Sequence, residues 1–380
     1  MKKIITLFVV LQIIISVHSS FAQDTVKVAE FKPYGKLWGY VFGDFYQKLH
    51  SDSLSRGNVQ YSNIANGYNA FDIRRAYLGY DYNISEKFST EFLLSHEGQT
   101  GTDGNRTVFL KLANLRWKNI FSKTDLIIGE MATPTWSFTE KSWGYRSVEK
   151  TILDMRKLGN SNDVGIALQG KFDEKESFGY NIMIGNGTAS KIESDIFKKI
   201  YGDVYAKFLN QKIIIDLYSD YERTKLSPYH KSKMTVKALL AYQSEKIVIG
   251  VETFRQIQEN YAIYTESLPS TKKDTTNVIA MGFGGYVRGM ILKDKLIFLA
   301  RYDIFNPDTK FNANNIYSDY SSYNTEIFMT AGLDYMPMKN VHIIPNVWYN
   351  SYSNRVKNIS GLAKNDYDMV VRITFYYIFK

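Results

Sequence analysis

The end of the chain alternates between two kinds of side chain. One set of positions is apolar or aromatic and comprises Val371, Ile373, Phe375, Tyr377 and Phe379, whereas the positions between them include Arg372, Thr374 and Tyr376. Because successive side chains of a β-strand point to opposite faces, this segment has an apolar face and a polar face. A closed barrel in an outer membrane ends in this way, since its last strand pairs with its first between lipid and water. A terminal strand of a soluble β-sandwich is the alternative.

The start of the chain has the features of an export signal. Two lysines precede an apolar stretch at residues 4–17, and the small residues Ser20 and Ala22 predict cleavage after Ala22. We therefore expect a signal peptide at residues 1–22 and export to the outer membrane of a Gram-negative-type cell. The apolar stretch is shorter than the about 20 residues that a membrane-spanning helix needs. No later segment has such a pattern, so insertion into a membrane would use strands.

The composition fits a transmembrane barrel although its average resembles that of a soluble protein. The mean hydropathy is -0.27, with 44% hydrophobic residues. In such a barrel lipid-facing and water-facing residues alternate, so the average conceals the membrane surface. The 29 Tyr and 23 Phe residues fit aromatic girdles at the two interfaces. The chain has no cysteine, which excludes disulfides, thiolate metal sites and a lipid anchor at the cleavage site.

The chain is basic. Its formal net charge is +9, and removal of Lys2 and Lys3 with the signal peptide leaves +7. A basic excess biases a channel toward anions or attracts a protein to anionic lipid headgroups. The basic residues are dispersed and no nucleic-acid-binding motif accompanies them. We therefore expect small hydrophilic solutes or anions and outer-membrane lipid as partners, and no nucleic acid.

Period-2 alternation divides the chain into about sixteen candidate strands of roughly nine to thirteen residues, the length that a tilted strand needs to cross a membrane. One of the clearest places Met234 and Val236 on one face and Thr235 and Lys237 on the other. Further clear alternation occurs at residues 88–95 and 326–334. The pattern predicts an all-β protein.

The connections between these strands alternate in length. Short turns are predicted at residues 83–86, 119–123, 173–176, 210–211, 244–245, 293–294 and 336–340. Long loops are predicted at residues 48–69, 98–105, 131–160, 188–199, 222–230, 258–277, 306–325 and 350–366. Short turns on one side and long loops on the other are typical of up-and-down transmembrane barrels. The sequence therefore predicts a closed antiparallel barrel of about sixteen strands that forms one domain.

Two stretches carry a family resemblance. Residues 71–80 (FDIRRAYLGY) and residues 128–134 (IGEMATP) resemble the phosphate-selective porin O and P family of outer-membrane porins. The resemblance implies a trimeric diffusion channel of sixteen strands, so that residues 23–380 would be a transmembrane porin domain. It also implies that the third long loop, here residues 131–160, folds into the lumen. In that family lysines and arginines along the constriction carry a preference for phosphate.

The candidate pore constriction combines one wall residue with four residues of the third loop: Arg75, Lys141, Arg146, Lys150 and Arg156. The third loop has five basic residues against three acidic ones, and the strand faces assigned to the lumen mix both signs. A mixed lumen favours a general aqueous pore with a weak anion preference over a phosphate-specific one. Arg74 and Arg75 are adjacent, so both can face the lumen only if a β-bulge intervenes. The aromatic residues of the third loop are expected to hold it against the wall.

Catalysis has no support in the sequence. The histidines that follow the signal peptide are scattered, and no catalytic, nucleotide-binding or metal-binding motif is present. We therefore expect no enzyme activity, no cofactor and no metal. Two functions remain open. The first is a porin, a passive channel for small hydrophilic solutes and ions, and the second is a structural or adhesive barrel whose long extracellular loops bind a surface partner.

Overall fold

The structure of the chain is a computed structural model that describes residues 31–225, 230–266, 273–317, 324–355 and 365–380. The predicted signal peptide and its cleavage site lie outside these residues. No helix among them is long and apolar enough to cross a membrane.

The described residues form seventeen β-strands, one turn of 3₁₀-helix and two short α-helices. The strands are β1 (Tyr34–His50), β2 (Asn69–Asn83), β3 (Phe88–His96), β4 (Phe109–Phe121), β5 (Thr124–Ala132), β6 (Asn162–Lys171), β7 (Phe178–Gly185), β8 (Lys199–Phe208), β9 (Ile213–Lys225), β10 (Lys231–Gln243), β11 (Ile247–Glu266), β12 (Lys273–Leu292), β13 (Leu296–Asn306), β14 (Asn315–Tyr317), β15 (Asn324–Met338), β16 (Val341–Asn354) and β17 (Asp366–Phe379). The 3₁₀ turn is Pro134–Trp136, and the helices are α1 (Thr139–Trp143) and α2 (Ile152–Met155).

Sixteen of the strands form a closed antiparallel barrel. Each pairs with its neighbours along the chain, and β17 pairs with β1 from Phe379 opposite Gly39 to Met369 opposite His50. The short β14 lies outside this order and pairs with the far end of β11. Closure removes both sheet edges and satisfies the backbone hydrogen bonds of the first and last strands. The predicted up-and-down barrel is confirmed.

The two faces of the barrel have the polarity that the sequence predicts. On β17, Ile373 is 49% exposed on the outer face, whereas Arg372 and Thr374 on the inner face are 3% and 0% exposed. On β10, Val236 is 42% exposed and Lys237 is 4% exposed. Large apolar side chains cover the outside and charged ones lie within, the reverse of a soluble protein.

The short connections lie where the alternation predicts them, but one long loop does not. Residues 258–277 were expected to be a loop, and instead β11 continues to Glu266 and β12 begins at Lys273. The backbone groups of β11 and β12 pair with each other in this segment, and β14 pairs with the end of β11. This pairing stabilises the longer strands. This end of the hairpin is rich in polar residues, so the alternation of apolar and polar side chains that predicts a strand is not visible there. Parts of four long connections lie outside the described residues.

Candidate pore constriction

The segment between β5 and β6, here called the third loop (residues 133–161), contacts the inner face of distant strands. Trp143 and Val148 pack in one buried cluster with side chains of β11, β12, β13 and β16, among them Tyr286. Ile152 and Leu153 pack in a second cluster with Phe254 and with residues of β12 and β13. A loop of this length is held by its own packing, and the aromatic side chains supply the largest contacts here.

Polar anchors hold the same loop. Its backbone carbonyls accept hydrogen bonds from four wall cations. Lys237 Nζ donates to Thr135 O at 2.6 Å, and an Arg372 guanidinium nitrogen donates to Val148 O at 2.6 Å. The other two donors are Arg74 and Arg301, which donate to the carbonyls of Ser147 and Lys150. The indole of Trp348 donates to Glu149 Oε2 at 2.8 Å. Buried backbone carbonyls need such partners, so the wall cations fix the path of the loop.

A left-handed residue ends α1. Gly144 has φ +72°, a conformation in which most side chains are strained. A Cβ atom there would lie 3.1 Å from the guanidinium carbon of Arg288. Glycine therefore lets the loop turn beside a wall arginine.

β-Bulges place extra cations on the inner face. In β2 the pairing passes from Arg75 opposite Phe42 to Ile73 opposite Gly43, so Arg74 is the extra residue and turns inward beside Arg75. The condition that the sequence set for both arginines to face the lumen is met. In β4 the pairing skips Lys111 in the same way, and Lys111 is buried within the barrel.

The first long loop, residues 51–68, also lies within the barrel. Tyr61 is 1% exposed, and its hydroxyl donates to Asp44 Oδ2 at 2.8 Å and accepts from Arg372 at 3.0 Å. Its ring packs in a buried cluster with Trp348 of the wall and Met155 of the third loop. The sequence analysis gave this loop no role.

A polar cavity of about 460 Å³ lies where the two loops meet the wall. Its charged lining residues are Arg74, Arg75, Arg146, Lys150, Lys157, Asp72, Glu97 and Glu149, and its other lining residues are Phe42, Asn58, Val59, Gln60, Gly98 and Met155. Five bases therefore face three acids. The cavity walls come from the first loop, the third loop, β1, β2 and the start of the connection between β3 and β4.

Glu97 is the acidic centre of the wall side of this cavity. Its carboxylate accepts hydrogen bonds from Lys111 Nζ at 2.6 Å, from Ser95 Oγ at 3.1 Å and from the Tyr77 hydroxyl, and it lies 3.4 Å from an Arg75 nitrogen. Burial alone would raise the pKa of this carboxyl, but the positive charges of Arg75 and Lys111 outweigh burial and hold the pKa well below its usual value. Glu97 therefore stays ionised and neutralises part of the wall charge.

Arg146 of the third loop is paired within the loop. Its guanidinium contacts the carboxylates of Asp154 and Glu140, the latter at 2.8 Å. Burial raises the pKa of the Asp154 carboxyl, but Arg146 and Lys150 lower it further than burial raises it. This ion pair neutralises Arg146 in large part.

The structure brings three of the five predicted constriction residues together, since Arg75, Arg146 and Lys150 line the cavity. Lys141 is exposed on α1 and does not line it. Arg156 contacts the Glu326 carboxylate and lies 3.2 Å from Asn350 Oδ1, so it attaches the third loop to β15 and β16.

Lys150 differs from the other cavity bases. Its ammonium forms no hydrogen bond or ion pair with the described residues, although its backbone nitrogen donates to Glu149. Lys157, in contrast, donates to Asn58 Oδ1 at 2.7 Å and so connects the two loops. An open ammonium in a partly enclosed cavity is available to a passing anion.

Sequence analysis missed Lys111, Asn58 and Gln60, and it left Arg74 unassigned. A break in alternation marks both bulged cations, because adjacent inward residues disturb the period of two. The first-loop residues carry no such signal, since only the packing of Tyr61 places them. Among the described residues no group of three or more histidines, aspartates and glutamates has the arrangement that holds a metal ion.

Solved structures of outer-membrane proteins, among them a porin and a channel, share this fold. An anion-selective porin from Comamonas acidovorans has 10% sequence identity and a TM-score of 0.60, with 92% of this chain and 100% of that chain covered. The outer-membrane channel DcaP of Acinetobacter baumannii has 13% identity and a TM-score of 0.62, with 93% and 100% covered. OmpT of Vibrio cholerae, in-vitro folded and in a trimer form, has 10% identity and a TM-score of 0.55, with 91% and 99% covered.

No protein-family model matches the chain, and no curated protein matches it in sequence. At identities this low the likeness to the solved structures concerns the fold. The chain therefore has the closed barrel that these outer-membrane proteins have.

Proposed function

We propose that the protein is an outer-membrane porin, a passive channel for small hydrophilic solutes and ions. The observation that carries this is the reversal of polarity, with large apolar side chains outside a closed barrel and charged side chains around a cavity within it. A lipid-facing band outside a polar interior is the physical requirement for a water-filled passage across a membrane. Cleavage after Ala22 would deliver the mature chain to that membrane.

A homotrimer is part of the proposal. The resemblance of residues 71–80 and 128–134 to the porin O and P family supports it, and so does the trimer form of the structurally similar OmpT of Vibrio cholerae. Sedimentation of the protein in detergent measures the number of chains in each particle. A single-chain particle in mild detergent would oppose this part of the proposal.

The third and first loops together form the constriction in this proposal. Five bases against three acids leave the cavity with an excess of two positive charges. Arg74, Arg146 and Lys157 are engaged with partners and Arg75 pairs with Glu97, so Lys150 is the cavity base with an open ammonium and Arg75 lies beside it. A narrow passage between low-dielectric walls strengthens the field of a few charges, which favours a weak preference for anions.

Ion currents through single barrels in a planar lipid bilayer test the function. We expect stepwise currents that increase with salt, and a reversal potential under a KCl gradient that indicates a small excess of chloride permeability. The second candidate, a structural or adhesive barrel, gains support from the two loops that pack inside the lumen. Correctly folded protein that carries no current would favour that candidate and contradict the porin.

A further inference from the structure

Four aromatic residues form a continuous patch on the inner face of β1, β2 and β17, here called the aromatic wall: Tyr40, Phe42, Tyr77 and Tyr376. The ring centroids of Tyr40 and Tyr77 are 4.6 Å apart, and those of Tyr40 and Tyr376 are 5.9 Å apart. The Phe42 centroid lies 6.1 Å from that of Tyr376. These spacings are those of rings in direct contact, so the four rings make one surface.

The aromatic wall is not fully covered by protein. Tyr40 and Tyr376 are half-buried, and both face the lumen, because they share the inner face of their strands with Phe42 and Thr374. Other inner-face aromatic side chains, such as Trp348 and Tyr286, are buried against the first and third loops. Apolar ring surface that faces a wet lumen gains free energy when a solute covers it.

The cations of the cavity adjoin this surface. The guanidinium carbon of Arg75 lies 5.0 Å from the Tyr77 ring centroid and 5.7 Å from that of Phe42. Phe42 and Arg75 also line the cavity, together with the open ammonium of Lys150. Ring surface and positive charge therefore meet at Phe42 and Arg75.

A solute that fits both features carries a negative charge on a ring with an apolar face. Pyranose rings have such faces, formed by their C–H groups, and their hydroxyls hydrogen-bond to side-chain amides and carboxylates such as those of Asn58, Gln60 and Asp72 in the cavity. Inorganic phosphate offers charge but no such face, and the three carboxylates of the cavity oppose a purely anionic ligand.

We propose that the aromatic wall and the neighbouring Arg75 and Lys150 form a transit site for acidic sugars, that is, sugar rings that bear a carboxylate or a phosphate. The inference rests on the proposed channel function, whose solutes it narrows to one class. The sugar ring packs on Tyr40 and Tyr376 while its anionic group is bound by Arg75 and Lys150.

Blockade of the KCl current by added solutes tests the site in the full-length mature protein. The probes are glucuronate and glucose 6-phosphate, and the controls are glucose, acetate and inorganic phosphate. We expect each acidic sugar to block the current at a concentration about tenfold lower than glucose does. It should also block at a concentration about tenfold lower than its matching anion, which is acetate for glucuronate and inorganic phosphate for glucose 6-phosphate. A difference of about tenfold is the size of effect that two aromatic contacts give. Such a preference for either acidic sugar over its matching anion supports the site.

Substitution separates the two parts of the site. The double variant Tyr40→Leu with Tyr376→Leu keeps apolar bulk but removes the aromatic faces, and it should lose the preference for acidic sugars over acetate and phosphate, measured against its own KCl current. The single variant Tyr376→Leu should lose part of it. Tyr205→Leu is the matched control, since Tyr205 packs on Phe138 at 4.6 Å and is not part of the aromatic wall.

The outcomes that overturn the site differ from those that overturn the channel. If the barrel carries no KCl current, the proposed function fails. If it carries current but acetate and inorganic phosphate block it as well as the acidic sugars do, the transit site is refuted and the channel stands. The transit site is also refuted if the double variant and Tyr376→Leu both keep the full preference for acidic sugars.

Discussion

Single side chains decide the charge of the cavity. Glu97 is the cavity acid that pairs with Arg75. It accepts hydrogen bonds from three side chains and pairs with Arg75, so its removal leaves several donors facing one another. A buried charge-assisted network of this kind stabilises the fold as well as setting the local field.

We expect Glu97→Gln to lower the stability of the barrel by about 1–3 kcal/mol at pH 7, because hydrogen bonds to a charged group are lost. The pKa of Glu97 is lower in the folded protein than the about 4.3 of an unfolded chain, so its stabilisation is complete above that value. The difference in unfolding free energy between wild type and variant should persist at pH 5 and shrink only as the pH falls below about 4. A difference that is already lost at pH 5 would contradict the assignment. Urea unfolding in detergent measures it.

Lys150→Glu should remove the anion preference. The substitution changes the charge of the cavity by two units, and two unit charges about 6 Å from a passing ion in water change its energy by about 1 kcal/mol. This corresponds to a change of about fivefold in the permeability of each ion, in opposite directions for chloride and potassium, and it is measured as a shift in reversal potential. Lys141→Glu makes the same charge change at an exposed residue of α1 that does not line the cavity, and it serves as the control. An equal shift in both variants would argue against a constriction at the cavity.

Much of the residue-level site could be predicted from the sequence. Arg75, Arg146 and Lys150 line the cavity, and the adjacent arginines at 74 and 75 already pointed to a bulge. The roles of Lys141 and Arg156 could not be resolved, because loop side chains have no period that fixes their direction. Lys141 is exposed, whereas Arg156 is bound by Glu326 and Asn350.

At the level of elements, Tyr61 is the main anchor of the first loop. The Tyr61 hydroxyl donates a hydrogen bond to Asp44 and accepts one from Arg372, and the Tyr61 ring contacts that of Trp348 at a centroid distance of 5.3 Å. Lys48 also donates to the Tyr61 carbonyl at 2.7 Å. The loop is therefore a fixed wall of the cavity.

We expect Tyr61→Ala to weaken the packing of the first loop by about 3 kcal/mol, the cost of truncating a buried aromatic side chain. The loop should then leave the lumen part of the time, which raises the single-channel conductance and exposes the loop to protease. Tyr68→Ala is the control, since Tyr68 is 53% exposed. Unchanged conductance and protease resistance in Tyr61→Ala would show that the first loop does not narrow the passage.

The outer face of β17 gives a test of membrane placement. A cationic side chain on the lipid face costs about 2–4 kcal/mol at mid-depth and less near the interface. Ile373 lies in the middle of β17 and Phe379 at its end, and both are exposed on the outer face. Ile373→Arg should therefore reduce the yield of folded barrel in lipid vesicles more than Phe379→Arg does. Equal yields for both variants would oppose a lipid-facing surface.

The order of the elements was predictable because alternation and turn residues are local signals. Closure between β1 and β17 followed from the apolar stripe at the chain end. The extension of β11 and β12 was not predictable, because polar residues obscure the alternation there and because β11 also pairs with β14, which is remote in sequence. The inward position of the first loop likewise depends on contacts with Trp348 and Met155, which are remote in sequence.

The whole molecule is a barrel whose apolar outside and charged inside require a membrane and a wet interior. Two loops divide that interior, and the remaining polar space adjoins the cations of the wall. The low mean hydropathy follows from this arrangement, since alternate side chains of each strand face the polar interior. In the proposed channel, solutes cross the barrel beside Lys150.

Chemical block at a single introduced thiol shows whether solutes pass Lys150, because the chain has no cysteine of its own. Lys150→Cys and the control Lys141→Cys are each treated with a bulky, negatively charged thiol reagent while single-channel current is recorded in a planar bilayer. We expect the reagent to reduce the current of Lys150→Cys strongly and to leave that of Lys141→Cys unchanged. If the Lys150→Cys protein is fully modified and its current does not change, solutes do not pass beside residue 150.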